Sequence, residues 1–134
     1  QDKTKDLSIY RINSALETLD AAKVCIESKH YKDAINRSYY AAFYATKAVL
    51  AMEGIDFKRH KDVVAYFNKN YVATEIFDKK LGRMLASLQQ TRETSDYDDF
   101  FIASKEDAEI QCENAEKIII AVKDYLKDKF EISV

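Results

Sequence analysis

The stretch that decides the fold is KDAINRSYYAAFYATKAVLAM, residues 32–52. When this segment is drawn as a helix, alanines, aromatic residues and aliphatic residues cover most of its circumference. A helix that is apolar on most sides must be surrounded by other elements. We therefore predict that residues 32–52 form the central helix of the protein. Gly54 follows it and can adopt the left-handed backbone conformation that commonly ends a helix.

Outside this segment, apolar residues recur at steps of three and four, which is typical of amphipathic helices that bury one face. Ser104 and Asp107 have the spacing of a capping box, so a helix should begin there. The predicted flanking helices cover residues 7–28, a short segment within 61–72, residues 75–96, and a last segment that begins at 104. Because short connections place consecutive helices antiparallel, we predict an up-and-down bundle of four long helices plus one short helix.

The composition supports an all-α fold. The chain has 134 residues, no proline and only two glycines, Gly54 and Gly82. Sheet-rich folds need many tight turns, which usually depend on these two residue types. Gly82 lies inside a predicted helix, where glycine is unfavourable, so we expect close packing at that position. Since no linker or repeat divides the chain, we expect a single domain over residues 1–134.

Charge, cysteine content and hydropathy restrict the class of protein. The net charge is −2 with both signs interspersed, so nucleic acid would need a local binding site. Cys25 and Cys112 are predicted to be free buried thiols, which suits a reducing cytoplasm. No apolar run approaches the roughly 20 residues of a membrane span. We expect a cytoplasmic protein without a membrane segment, and the sequence leaves open whether an N-terminal segment was removed.

The segment LQQTRETSDYDDF, residues 88–100, places charged residues where a core is expected. Leu85 and Leu88 lie on the apolar stripe of the fourth helix, and the same stripe continues with Arg92 and Asp96. A guanidinium that is removed from water must be paired, and a carboxylate four residues later is within reach. We therefore expect Arg92 to be partly buried, with Asp96 as its buried counter-ion.

The central helix carries a second polar row that could face the first. Arg37, Tyr40 and Tyr44 follow one another at helical spacing, and Asn36 lies beside them. Two interpretations stay open. The cluster could be a hydrogen-bonded network that fixes how the helices align. It could instead be a site in which two arginines bind phosphate and tyrosine rings stack on a base.

Most enzyme classes lack support in the sequence. His30 falls in a connection and His60 at the start of the third helix, and neither has a partner at metal-ligand spacing, so both are expected to be surface or cap residues. There is no phosphate-binding loop, nucleophile elbow or zinc-protease motif. Asp98 and Asp99 lack the glycine turn of a calcium loop, and we interpret them as solvated surface. We predict no metal site and no cofactor.

The segments YKDAINRSYYAAFYATKAVL and GRMLASLQQTRETSDYDDF resemble two signatures of the HEPN domain family (higher eukaryotes and prokaryotes nucleotide-binding). The resemblance extends over about residues 7–128. It implies a helical bundle, often a homodimer, from a bacterium or archaeon. Such proteins are frequently encoded beside a minimal nucleotidyltransferase as a toxin and antitoxin pair.

Many HEPN proteins are metal-independent RNases with an R-x4-6-H motif whose residues meet at a dimer cleft. Carried over by this resemblance, Arg92 matches the arginine, but the residue five positions later is Tyr97, and a similar R-x6-H spacing from Arg37 ends at Tyr44. A phenol is a poor base near neutral pH. We therefore expect a protein that binds a nucleotide or RNA through six residues: Asn36, Arg37, Tyr40, Tyr44, Arg92 and Asp96. The alternatives are an RNase toxin that uses Arg92 and Tyr97, and a structural adaptor for a nucleotidyltransferase. The sequence leaves open the ligand, the partner and whether Tyr97 is modified.

Overall fold

A computed structural model describes residues 2–134, and it shows four long helices and one short helix. The predicted all-α bundle is confirmed. In chain order the helices are α1 (Asp2–Glu27), α2 (Tyr31–Ala51), α3 (His60–Phe67), α4 (Lys79–Tyr97) and α5 (Lys105–Phe130).

Helix α2 is the centre of the bundle, as its sequence predicted. More than half of its 21 residues are buried, and it contacts α1, α3, α4 and α5. Small residues on α2 let neighbouring backbones approach closely: Ala41, Ala42, Ala45 and Ala48 are all fully buried. Because every other helix packs against α2, its polar side chains can be reached by residues from several parts of the chain.

The α3–α4 connection differs from the prediction. Helix α3 continues into a π-helical turn, Asn68–Val72, and α4 begins at Lys79 instead of near Glu75. Glu75 has a positive φ of 64°, which interrupts the helical backbone. The side chain of Asp78 then accepts a hydrogen bond from the Lys80 amide at 2.8 Å and caps the new helix. The predicted start of the fourth helix was therefore wrong by one turn.

Two local predictions are confirmed. A Cβ atom added at Gly82 would lie 3.0 Å from Cγ1 of Val72, so this helical glycine packs closely against the π-helical turn. At the start of α5, Ser104 accepts a hydrogen bond from the Asp107 amide at 2.9 Å, and the Asp107 carboxylate accepts one from the Ser104 amide at 3.2 Å. Cys25 and Cys112 are both free thiols, but only Cys112 is buried; Cys25 is half-buried, so its predicted burial was wrong.

Over residues 2–134, no helix combines the length and the apolar character needed to cross a bilayer.

Candidate functional site

Arg92 lies where α4 passes the central helix. Leu85 and Leu88 on the preceding turns are fully buried, and the Arg92 side chain keeps only 14% of its surface exposed. Its guanidinium carbon lies 4.5 Å from the ring centroid of Tyr39 and 5.9 Å from that of Tyr40. A cation over an aromatic face gains about 1–2 kcal/mol when it is partly removed from water. The tyrosines of α2 therefore offset part of the desolvation of Arg92.

Asp96 pairs with Arg92 but is not buried. Its Oδ2 accepts a hydrogen bond from Nη1 of Arg92 at 3.2 Å, while 35% of the Asp96 side chain stays exposed. The expectation of a buried counter-ion was wrong, because Asp96 lies in the last turn of α4, which ends at Tyr97. This end of α4 is more exposed to solvent than the turns that carry Leu85 and Leu88. Arg92 is thus held by one solvent-accessible carboxylate and by two aromatic rings.

Arg37, on the central helix α2, lies beside the same group of tyrosine rings. Its guanidinium carbon lies 5.4 Å from the ring centroid of Tyr40, and its Nε donates a hydrogen bond to Oδ1 of Asn36 at 3.1 Å. Arg37 and Arg92 therefore both lie within 6 Å of one tyrosine ring. The Tyr44 ring continues this row, 6.2 Å from that of Tyr40.

Tyr97 does not join this group within one chain. It is the last residue of α4, and 80% of it is exposed. Five residues of α-helix correspond to about 1.4 turns, so Tyr97 points roughly 140° away from Arg92 around the helix axis. Within one chain, Arg92 and Tyr97 are therefore apart, and their meeting at a dimer cleft stays a prediction.

His60 does join the group, although the sequence placed it among surface or cap residues. It is the first residue of α3, and its ring lies 4.2 Å from that of Phe43 and 5.6 Å from that of Tyr40. Burial lowers the pKa of His60, and the charges of Arg92 and Lys47 lower it further. Sequence spacing carried no signal for this contact, because His60 and Arg92 come from different helices and meet only through α2.

Several buried polar atoms at the site lack hydrogen-bond partners within the protein. They include the Tyr39 hydroxyl and Nε of Arg92, and Oγ of Ser95 on the next turn of α4 is a third. Burial raises the pKa of the Tyr39 phenol, and the neighbouring Arg92 guanidinium offsets only part of that rise, so the phenol stays protonated and can donate. Unsatisfied buried donors are uncommon in folded proteins and often indicate a place for a bound water or ligand. Here two of the donors lie directly beside the arginine–tyrosine group.

Among residues 2–134, no group of three or more histidine, cysteine, aspartate or glutamate side chains is placed to hold a metal ion. The site presents guanidinium, phenol, imidazole and carboxylate groups.

The fold and this site define a small helical-bundle protein with two arginines beside one tyrosine of its central helix. The HEPN domain model matches residues 9–125, which is most of the chain. The chain belongs to the HEPN domain family.

Similar proteins occur in a bacterium and an archaeon. A UPF0332 protein of Thermotoga maritima is 32% identical over 127 residues, which cover 95% of this chain and 96% of that protein. Two proteins of Methanocaldococcus jannaschii carry toxin names. "Putative toxin MJ0142" is 31% identical over 88% of this chain and 80% of its own length, and "Putative toxin MJ0605" is 32% identical over 87% of each.

Proposed function

We propose that this HEPN protein, as a single domain, binds a nucleotide or RNA and is the toxin of a toxin–antitoxin pair. The observation that carries the proposal is the meeting of two guanidiniums at one aromatic ring. Arg37 and Arg92 approach Tyr40 to 5.4 and 5.9 Å. Guanidiniums suit phosphate, because each presents a planar set of donors that matches phosphate oxygens.

The aromatic residues supply the second half of nucleotide recognition. Tyr40 and Tyr44 are half-buried, so part of each ring is accessible beside the arginines. Stacking of a base on an aromatic side chain contributes about 1–3 kcal/mol and depends little on sequence. Phosphate bound at Arg37 and Arg92 would place an attached base next to these rings. The unpaired donors of Tyr39 and Arg92 would gain partners from the same ligand.

The proposed toxin role and the proposed partners are inferred from the family to which the chain belongs. The names of the two archaeal relatives support a toxin role.

We propose a cytoplasmic homodimer that pairs with a nucleotidyltransferase. Exposed apolar side chains at the α4–α5 connection, Phe100 at 92% and Ile102 at 87%, offer a surface for contact with another protein. Light scattering should give twice the 15.5 kDa of one chain, whereas a strict monomer would contradict the homodimer.

The test is a titration of fluorescent single-stranded RNA and of a labelled adenosine nucleotide with four proteins: wild type, Arg92→Ala, Arg37→Ala and Arg83→Ala. Arg83 is the matched control because it is exposed and lies nine residues before Arg92, so it projects from the opposite face of α4. The first two variants should bind at least about tenfold more weakly, the loss expected for one charge-assisted contact.

The Arg83 variant should bind within about twofold of wild type, since distant surface charges are screened. Equal losses for all three variants would mean that binding depends only on overall charge. Unchanged binding by Arg92→Ala and Arg37→Ala would reject the site. A nucleotidyltransferase that copurifies equally with wild type and Arg92→Ala, without any RNA binding, would favour the structural adaptor.

A further inference from the structure

We propose that the basic segment at residues 58–61 binds the phosphate backbone of an RNA strand that also occupies the site at Arg37 and Arg92. This inference rests on the proposed function, because the strand must be held at those arginines as well. It specifies the ligand as a single strand of several nucleotides, and a mononucleotide then occupies only part of the binding surface.

Residues 58–61 are the most basic short segment of the chain. They read KRHK, and no other four consecutive residues contain three lysines or arginines. The segment lies at the start of α3, and Lys58, Arg59 and Lys61 are all exposed. Because the chain as a whole has a net charge of −2, a local concentration of cations is what binding of nucleic acid requires.

Two of these cations are not neutralised by carboxylates of the protein. Nε of Arg59 donates a hydrogen bond to Oδ2 of Asp62 at 3.1 Å, so the charge of Arg59 is partly offset. Within residues 2–134, no carboxylate forms an ion pair with Lys58 or Lys61. These two lysines are therefore available to phosphate oxygens.

His60 places this segment against the arginine–tyrosine site. Its ring lies 5.6 Å from that of Tyr40, which both arginines approach, and 4.2 Å from that of Phe43. Consecutive α-carbons are about 3.8 Å apart, so those of Lys58 and Lys61 lie within about 8 and about 4 Å of that of His60. The two lysines therefore border the same group of rings as the arginines.

The accessible rings at the site form a continuous row. The Tyr44 ring lies 6.2 Å from that of Tyr40, which in turn lies 5.6 Å from that of His60. All three residues are half-buried, so part of each is open to a ligand. Proteins that bind single strands combine successive rings with cations that follow the phosphate backbone. One base covers about one ring, so a mononucleotide leaves the rest of the row and the lysines without a partner.

The salt dependence of binding measures phosphate contacts of this kind. For a single strand, the logarithm of the affinity falls with the logarithm of the salt concentration, with a slope of about −0.7 for each phosphate that the protein neutralises. Two lysine contacts therefore account for about 1.4 of the slope, which corresponds to about 25-fold in affinity at about 0.1 M salt. A mononucleotide that binds only at the arginines lacks this contribution.

The experiment titrates labelled adenosine monophosphate, and labelled RNA oligoadenylates of two, four and eight nucleotides, over a series of salt concentrations. The proteins are wild type, Lys58→Ala/Lys61→Ala and Lys79→Ala/Lys80→Ala. The second pair is the matched control, because it removes the same charge from exposed lysines at the start of α4, about three and a half turns before Arg92. Thermal melting checks that both variants fold.

Wild type should bind the longest strand at least about tenfold more tightly than the mononucleotide, because only the strand reaches the lysines. Lys58→Ala/Lys61→Ala should lose about 25-fold for that strand and about 1.4 of the salt slope, while it binds the mononucleotide within about twofold of wild type. The control pair should bind every ligand within about twofold of wild type. If the lysine variant does not fold, the length series with wild type decides.

Three results would overturn the inference. Equal affinity of wild type for all four ligands would do so and would leave nucleotide binding at the arginines standing. Equal losses for the two lysine pairs would show an effect of overall charge instead of a local contact. An unchanged salt slope in Lys58→Ala/Lys61→Ala would remove the segment from the interface. Failure of wild type to bind any of the ligands would reject the proposed function together with this inference.

Discussion

Replacement of Asp96 with alanine measures how much the Arg92–Asp96 ion pair contributes to the stability of the fold. The change removes a carboxylate that accepts one hydrogen bond from Arg92 at 3.2 Å. A surface pair at this spacing is worth about 0.3–0.5 kcal/mol, whereas breaking a fully buried pair costs about 3–5 kcal/mol. Asp96 is 35% exposed and Arg92 14%, which places this pair nearer the surface case. Arg92 also keeps its contact with Tyr39 after the substitution.

We therefore expect Asp96→Ala to lower the free energy of unfolding by about 1 kcal/mol, since the loss is one partly screened contact. For a domain of this size, that corresponds to a fall in melting temperature of about 3–4 °C. Urea unfolding followed by circular dichroism gives the free energy, and a double-mutant cycle with Arg92→Ala isolates the pair. The matched control is Glu113→Ala, which breaks an exposed pair of the same spacing, 3.8 Å from Lys117 on α5.

The control should cost at most about 0.5 kcal/mol. A loss of 3 kcal/mol or more for Asp96→Ala would refute the conclusion that the pair is solvent-screened. A loss no larger than that of the control would show that the partial burial of Arg92 adds nothing to the pair. RNA affinity should not decrease, because Tyr39 still positions the guanidinium and a competing negative charge is gone.

Two further predictions concern stability. Gly82→Ala should destabilise the fold by about 1 kcal/mol in thermal melts, because the gain in helix propensity is smaller than the cost of crowding Val72, whose branched side chain cannot easily move. In a Val72→Ala background the same change should become stabilising, and a loss there would contradict the packing explanation. For His60, whose pKa is lowered, the unfolded state binds a proton more readily, so the free energy of unfolding should fall as the pH decreases from about 6.5. Urea titrations over a pH series should show this slope in wild type and a weaker one in His60→Gln.

Several structural features could be predicted from the sequence because they depend on local periodicity. The apolar circumference of residues 32–52 identified the central helix, and the spacing of Ser104 and Asp107 identified the start of α5. The stripe through Leu85 and Leu88 showed that Arg92 would be shielded from water. The central helix and the shielding of Arg92 follow from which way residues point around one helix, and the start of α5 follows from the spacing of two capping residues.

The start of α4 shows where local pattern is misleading. Phe77 continues the apolar stripe of α4 backwards and is buried, which is why the helix was expected to begin near Glu75. In the structure, Phe77 is buried from a turn instead, with its ring 5.2 Å from that of Phe67. Burial by itself does not distinguish a helical residue from a turn residue that packs on the same core.

What the sequence determined by itself was the fold class, the central helix and the partial burial of Arg92, because periodicity within one helix shows which side faces the core. Only the tertiary structure decided that Asp96 stays accessible and that His60 meets Arg92 across Tyr40. The physical reason is that exposure at a helix end depends on what covers it. Contact between two helices depends on their relative shift and rotation, and neither quantity is encoded in the spacing of residues along one of them.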